Sequence, residues 1–438
     1  MRNGTGAAPA YLLDNCVRDY DWGSATAIPD LLGLPPTGRP QAELWMGTHP
    51  SAPSRLAGDG TLADRITVDP EGELGAAVLA AFGPRLPYLF KVLAAARPLS
   101  LQAHPTPEQA VAGHAAEHER EVPLSAPQRN YKDRSHKPEV LCALTPFRAL
   151  AGFREPAASA RLLAGLGVPA LARYRDRLAD PGGLRQVVGE LLTLPAGERA
   201  DLVGAVAAAC RTGPADGPDG GAVDGAAGGP AGGSGGGFAA ERALAVELAA
   251  RYPGDPGVVI ALLLNYVELA PGEALFLPAG NLHAYLSGTG VELMANSDNV
   301  LRGGLTSKHV DVPELLRVLD FTAGPPPLLT PRPGPDGGLE YPVPVREFRL
   351  TRFDVGPNPC TVDGGAPQIL LCVEGSVEVS GMDGDSGVGG SPGLGGDSGL
   401  GGDAVRLPRG GSAFVPASRK AVVLAGRGTV FRATTNLG

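Results

Sequence analysis

Residues 271–285 read Pro-Gly-Glu-Ala-Leu-Phe-Leu-Pro-Ala-Gly-Asn-Leu-His-Ala-Tyr, and this run narrows the fold more than any other stretch of the chain. A Pro271-Gly272-Glu273 turn leads into an apolar segment, a Pro278-Ala279-Gly280 turn ends it, and His283 opens the next strand. Pro and Gly at these offsets set turns, and a short apolar run between two turns is long enough for a buried strand but not for a helix. Antiparallel β structure follows, with His283 and Tyr285 on one face at strand period two.

Turn, apolar strand, turn and histidine together form the signature of a cupin jelly roll, where such a histidine ligates a metal. Arg409-Gly410-Gly411-Ser412-Ala413-Phe414-Val415-Pro416 echoes Pro271 to Pro278 and suggests a second jelly roll. No histidine follows His309, so this repeat is expected to be metal-free and structural.

Leu86 to Leu93 and Val140 to Leu144 read as buried strands, and the first hundred residues as predominantly β. From Pro156 the pattern changes. Ala158 to Leu166, Leu171 to Leu178, Leu184 to Leu194 and Arg199 to Cys210 are Ala/Leu-rich at helical spacing, one more helix spans about Ala239 to Tyr252, and Val258 to Val267 returns to strand character. The fold class is therefore mainly β with a helical insertion. Residues 1–155 and 257–323 are expected to form a catalytic cupin domain, 156–256 a helical insertion with a flexible Gly-rich loop at 213–237, and 324–438 a C-terminal metal-free jelly roll with a disordered loop at 381–403.

Four segments carry chemistry. In Pro98 to Pro105, Leu99, Leu101 and Ala103 alternate with Ser100, Gln102 and His104, so one face meets a core and the other walls a cavity. Pro138 holds Lys137 extended, which sends Lys137 and Glu139 to the same side, either into that cavity or as a surface ion pair. Lys91 inside an apolar strand is either a strand-edge lysine reaching water or a cation facing a cavity. Asp298 and Arg302 lie in a turn-rich segment beside Gly303 and Gly304, as ligand contacts or as a structural Arg–Asp pair.

Gln102, His104, Glu139 and His283 offer one amide oxygen, one carboxylate and two imidazoles. That set can hold Zn²⁺ with one position open to water or substrate, as in a catalytic site, although iron, manganese and cobalt suit it too. A second histidine pair, His114 and His118, sits with Glu117 in an H-x-x-E-H pattern on a helix started by Thr106, Pro107 and Gln109 and running to about Arg120. Glu117, Glu119, Arg120 and Glu121 mark that face as charged and solvated, and no third ligand follows, so a peptidase reading is set aside.

Composition excludes some functions. A net charge of -9 without a Lys/Arg cluster argues against nucleic acid, while a few converging cations still suit a small phosphorylated ligand. Five widely spaced cysteines without a CxxC pair point to reduced thiols and the cytoplasm. No signal-peptide core opens the chain, and the longest apolar run, Val258 to Leu264, is too short to span a bilayer, so no membrane association is expected.

These motifs lead to a family. YDWGS (20–24), AELWMGTHP (42–50), LPYLFKVL (86–93), PLSLQAHP (98–105), NYKDRSHKPEVLCALTPFRAL (130–150) and HAYLSGTGVELMANSDNVLRGGLTSKHVD (283–311) resemble the type I mannose-6-phosphate isomerases from one end of the chain to the other. The resemblance implies a monomeric enzyme holding one Zn²⁺ on Gln102, His104, Glu139 and His283, which interconverts mannose 6-phosphate and fructose 6-phosphate and serves GDP-mannose supply. It also implies Arg302 as the active-site arginine and substrate contacts from Lys91, Ser100, Lys137, Tyr285 and Asp298. Lys137 is the candidate proton shuttle with Asp298 as the alternative, and Lys91 and Ser100 are the phosphate candidates. Ser307 departs from the family's usual Pro in GLTPK, and the Gly-rich loops are longer than expected. A cupin oxygenase, or a sugar-phosphate-binding protein without activity, are the competing readings; the cations Lys91, Lys137 and Arg302 disfavour the first, and the complete ligand set the second.

Overall fold

The computed structural model describes residues 8–56, 60–212, 237–382 and 404–437 of the 438-residue chain. Its strands form two systems, of 11 and 10 strands, whose paired strands all run antiparallel. The first is organised on one 13-residue strand, His283–Ala295. The later half of that strand lies between Tyr88–Ala95 and Glu139–Ala143. The earlier half leaves that layer to pair with Phe147–Phe153, and His283 itself pairs with Gln102 of Leu101–Ala103. The register slips between Tyr285 and Ser287, and Gly288 follows at φ +118°, where a Cβ would lie 2.7 Å from the Pro146 carbonyl oxygen. Only glycine fits this corner, because both the backbone conformation and the space exclude a side chain. Gly288→Ala is therefore expected to lower stability by about 1–3 kcal/mol, read as a shift in the urea midpoint.

In the second system Gln368–Gly381 and Ala421–Thr434 pair along almost their full 14 residues. The internal echo is structural: Gly272 (φ +90°) and Gly410 (φ +80°) turn the chain into the wholly buried strands Ala274–Leu277 and Ser412–Val415. Tyr11–Asp14 pairs with Ser412–Val415, which ties the start of the chain to its last strands. Tyr88, Phe90, Val140 and Phe276 from one system and Phe348, Ile369, Phe414 and Phe431 from the other form a shared core.

The helices Pro156–Gly165, Ala172–Arg177, Gly183–Thr193, Ala196–Thr212 and Ala239–Arg251 follow the expected pattern. Their apolar faces share one buried cluster with Leu101, Ala103, Leu282, Ala284, Leu286 and Leu301. The intervening residues, Gln102, His283 and Tyr285, point the opposite way. Each buried leucine is worth about 1.5–3 kcal/mol, and a one-residue slip would exchange leucines for ligands, so the helical layer fixes the register of the site.

Three sequence expectations change. Val258 to Val267 is not one strand: Gly257–Ala261 is a helix, and the strand is Leu264–Leu269. Asp255 Oδ1 accepts the Gly257 N–H at 2.7 Å and starts that helix, and complete burial overrides the strand preference of Val258, Val259 and Ile260. The first hundred residues also contain the helices Ala27–Leu31, Leu62–Val68, Pro70–Leu74 and Ala76–Phe82. A Thr61–Asp64 capping box and an Asp69-Pro70 start were the local signals for two of these.

The helix Pro107–Glu119 begins on the expected Thr106/Gln109 capping box, but Glu117 is buried rather than solvated. It pairs with Arg129 at 2.9 Å and accepts the N–H groups of Asn130 and Tyr131, each at 2.9 Å, which anchors the segment leading to Lys137. Finally, the expected loops at 213–237 and 381–403 lie almost wholly outside the described residues, and Gly381 ends a strand. Among the described residues no helix is long and apolar enough to cross a membrane, and the five cysteines are unpaired.

Candidate active site

The strand corner at Gly288 brings both layers against one cleft of 680 Å³. Lys91, Ser100, Gln102, Lys137, Glu139, Tyr285, Asp298 and Arg302 all line it, and His104 and His283 are buried against Glu139. Each histidine donates its Nδ1–H to a backbone carbonyl: His104 to Asn299 at 2.7 Å and His283 to Asn281 at 3.0 Å. A carbonyl can only accept, so in the neutral imidazole the proton sits on Nδ1 and each Nε2 lone pair points inward.

His104 Nε2 lies 3.4 Å from Glu139 Oε1, and His283 Nε2 lies 3.3 Å from Glu139 Oε2 and 3.3 Å from the Gln102 amide nitrogen. His104 Nε2 and Glu139 Oε2 have no hydrogen-bond partner although fully buried. Unprotonated nitrogens facing a carboxylate repel one another unless a cation sits between them. Tetrahedral coordination at about 2.0–2.1 Å separates neighbouring donors by about 3.3–3.4 Å, which is the spacing seen here. An amide that turns over offers its oxygen at the same point. The four side chains therefore fit a single zinc-sized ion.

The electrostatics agree. Burial, helped by Lys137, pushes His104 down to about 4, so its imidazole is neutral and ready to bind metal. Burial opposes the Glu139 charge, but Lys137, with its Nζ at 3.0 Å, holds its carboxyl well below the usual range. Lys137 and Glu139 thus enter the cleft together and do not form a surface pair.

Lys91 is corrected in one respect. It is no strand-edge lysine reaching water: it is 5% exposed, with Nζ 2.7 Å from Glu292 and 3.4 Å from Glu43. Those two carboxylates consume its charge, leaving it poorly placed to attract a phosphate. Tyr285 donates its hydroxyl to Glu292 at 2.9 Å, and Trp45 donates Nε1–H to Glu43 at 2.8 Å, completing a buried network. Arg302, by contrast, makes no ion pair with Asp298, and among the described residues its guanidinium faces the cleft uncommitted.

Glu43, Glu292, Trp45, Lys132 and Lys308 also line the cleft and escaped sequence reasoning. A signal existed for the first two. Lys91, Glu43 and Glu292 are lone charges inside apolar runs, and buried charges of opposite sign seek one another.

A family model for the catalytic domain of type I phosphomannose isomerase matches residues 11–156. Mannose-6-phosphate isomerase of Escherichia coli K12 is 37% identical over 433 residues, covering 97% of this chain and 99% of that one. The chain belongs to the mannose-6-phosphate isomerase family. Its Salmonella typhimurium member is 38% identical across 83% of this chain and 88% of its own. A zinc-bound crystal structure of a mannose 6-phosphate isomerase superposes with a TM-score of 0.82 at 34% identity, covering 98% of this chain and all of that one. The antiparallel sheets, the helical insertion and the buried donor cluster are thus the architecture of this isomerase family, a cupin-type fold.

Proposed function

We propose that this chain interconverts mannose 6-phosphate and fructose 6-phosphate with one Zn²⁺ held by Gln102, His104, Glu139 and His283, and so serves mannose metabolism and GDP-mannose supply. The observation that carries the reading is the inward convergence of two unprotonated imidazole nitrogens on a buried carboxylate at the spacing of a zinc tetrahedron.

The reaction moves a proton between C2 and C1 of an open-chain sugar through a cis-enediol. Bound zinc supplies Lewis-acid polarisation of the carbonyl and stabilises the developing negative charge. Lys137 and Asp298, both on the cleft wall, are the proton carriers proposed for this chain, with Lys137 first because its Nζ already sits 3.0 Å from Glu139. Arg302 opposes charge on the enediolate or on the phosphate. Ser100 contacts the phosphate, and the phosphate's counter-charge moves from Lys91 to Arg302 and Lys308, which line the same cleft without carboxylate partners among the described residues.

Purified protein should convert mannose 6-phosphate to fructose 6-phosphate in a coupled assay; no turnover with zinc supplied would refute the reading. Arg302→Ala should lower kcat by on the order of 10²- to 10³-fold with an unchanged circular dichroism spectrum. An unaltered rate would leave Arg302 outside the chemistry.

A further inference from the structure

His49 has no place in the scheme above, yet it is one of the most constrained polar side chains near the cleft. It is 5% exposed, and its ring packs edge-on against Trp45 with centroids 4.7 Å apart. The Ser51 backbone N–H donates to His49 Nδ1 at 3.2 Å, and the Ser51 hydroxyl lies 2.9 Å from the same nitrogen. A nitrogen that accepts an N–H carries no proton, so the proton of this imidazole is on Nε2. That Nε2 lies 3.2 Å from Asp298 Oδ2.

Asp298 is held at both ends. Its own N–H donates to Asp133 Oδ2 at 2.8 Å, and its neighbours Ser297 and Asn299 are tied to Asp133 by side-chain hydrogen bonds. The backbone is therefore fixed by one carboxylate and the side chain by one imidazole. Asp298 Oδ1 makes no hydrogen bond or ion pair among the described residues, and Asp298 lines the cleft. His49 also keeps the carboxyl below its usual range, with Lys137 and Lys91 adding to the effect.

We propose that His49 is a positioning residue: its Nε2–H pins one oxygen of Asp298 so that the other is presented to the sugar in a fixed orientation. The inference rests on the reading of Asp298 as a substrate-handling group. His49 acts only through Asp298, touching neither the sugar nor the metal donors. An unpinned carboxylate on a cleft rim samples several rotamers, and each unproductive one lowers the turnover rate.

A double-mutant cycle tests this, using His49→Leu, His49→Gln, Asp298→Asn and His49→Leu/Asp298→Asn, each loaded with zinc and checked for one metal per chain and an unchanged circular dichroism spectrum. His49→Leu should lower kcat by on the order of 10- to 100-fold, the worth of one charge-assisted hydrogen bond, with KM changing far less. His49→Gln, which keeps an N–H donor, should recover most of that loss. In the Asp298→Asn background His49→Leu should have no further effect. An equal fold loss in both backgrounds, or full kcat for His49→Leu, would overturn the positioning role while leaving Asp298 in place. Full kcat for Asp298→Asn would remove Asp298 from the reaction, and the role of His49 with it. Should His49→Leu not fold, His49→Asn, whose amide stops short of Asp298, takes its place with the same expectations.

Discussion

His283→Ala is expected to yield a folded protein that retains no zinc after dialysis and turns over mannose 6-phosphate on the order of 10³-fold or more slowly than the parent chain. The fold should survive because the neighbours that anchor this strand, Leu282, Ala284 and Leu286, face the helical layer and are untouched. The metal should be lost for two reasons. One of two neutral imidazole donors disappears, and Glu139 Oε2, which has no hydrogen-bond partner, loses the group it faces at 3.3 Å. The remaining donors, Gln102, His104 and Glu139, include an amide that binds weakly by itself. Chelation of the parent protein should reproduce the defect, and added Zn²⁺ should reverse it in the parent but not in the variant. Zinc content by metal analysis reads the site independently of activity. A variant that keeps one zinc per chain and full turnover would sink the ligand assignment.

Why this site was legible while its surroundings were not is a matter of range. Gln102 and His104 lie two apart and alternate with the apolar Leu101 and Ala103, so a local alternation sufficed to predict their common face; the helical layer on Leu101 and Ala103 bears it out, whereas Leu99, expected on the core side, lines the cleft. The turn residues Gly272 and Gly280 were readable for the same reason, being short-range signals, and both adopt positive φ. The family resemblance then supplied partners from sequence positions far apart. Lys91 shows the limit. Its two carboxylates come from strands 48 and 201 residues away, so the apolar run around it hints at burial but does not say which partners it meets. Val258 to Ile260 failed for a different reason: three β-branched residues argue for strand, but complete burial beneath the insertion rewards the compact helix. His49 was visible only as a letter within AELWMGTHP, since its role depends on a tautomer set by Ser51 and a partner 249 residues on.

Lys91→Met is expected to cost about 3–5 kcal/mol of stability and to make the variant's remaining stability fall as pH rises. In the parent chain a single ammonium sits between Glu43 and Glu292, all three groups buried, and the two carboxylates raise the Lys91 pKa above its ordinary value despite the burial that opposes its charge. Methionine fills similar space without a charge, leaving two nearly buried carboxylates without their counter-charge. Burial already raises the Glu292 carboxyl above its usual range, and Lys91 is the largest influence holding it down. Removing Lys91 lets it rise further. A carboxyl whose folded pKa lies above its unfolded value of about 4.3 keeps a proton that the unfolded chain has released. Its stabilising contribution is complete below that unfolded value and is lost as pH climbs through the folded one. The gap between variant and parent should therefore widen between pH 5 and pH 8, read from urea midpoints at the two pH values. Adding Glu292→Gln to the variant should narrow it again, because the amide has no proton to lose. An equal deficit at both pH values would mean that the carboxylates find another counter-charge, with Lys137 the nearest candidate, since its charge already acts on Glu292.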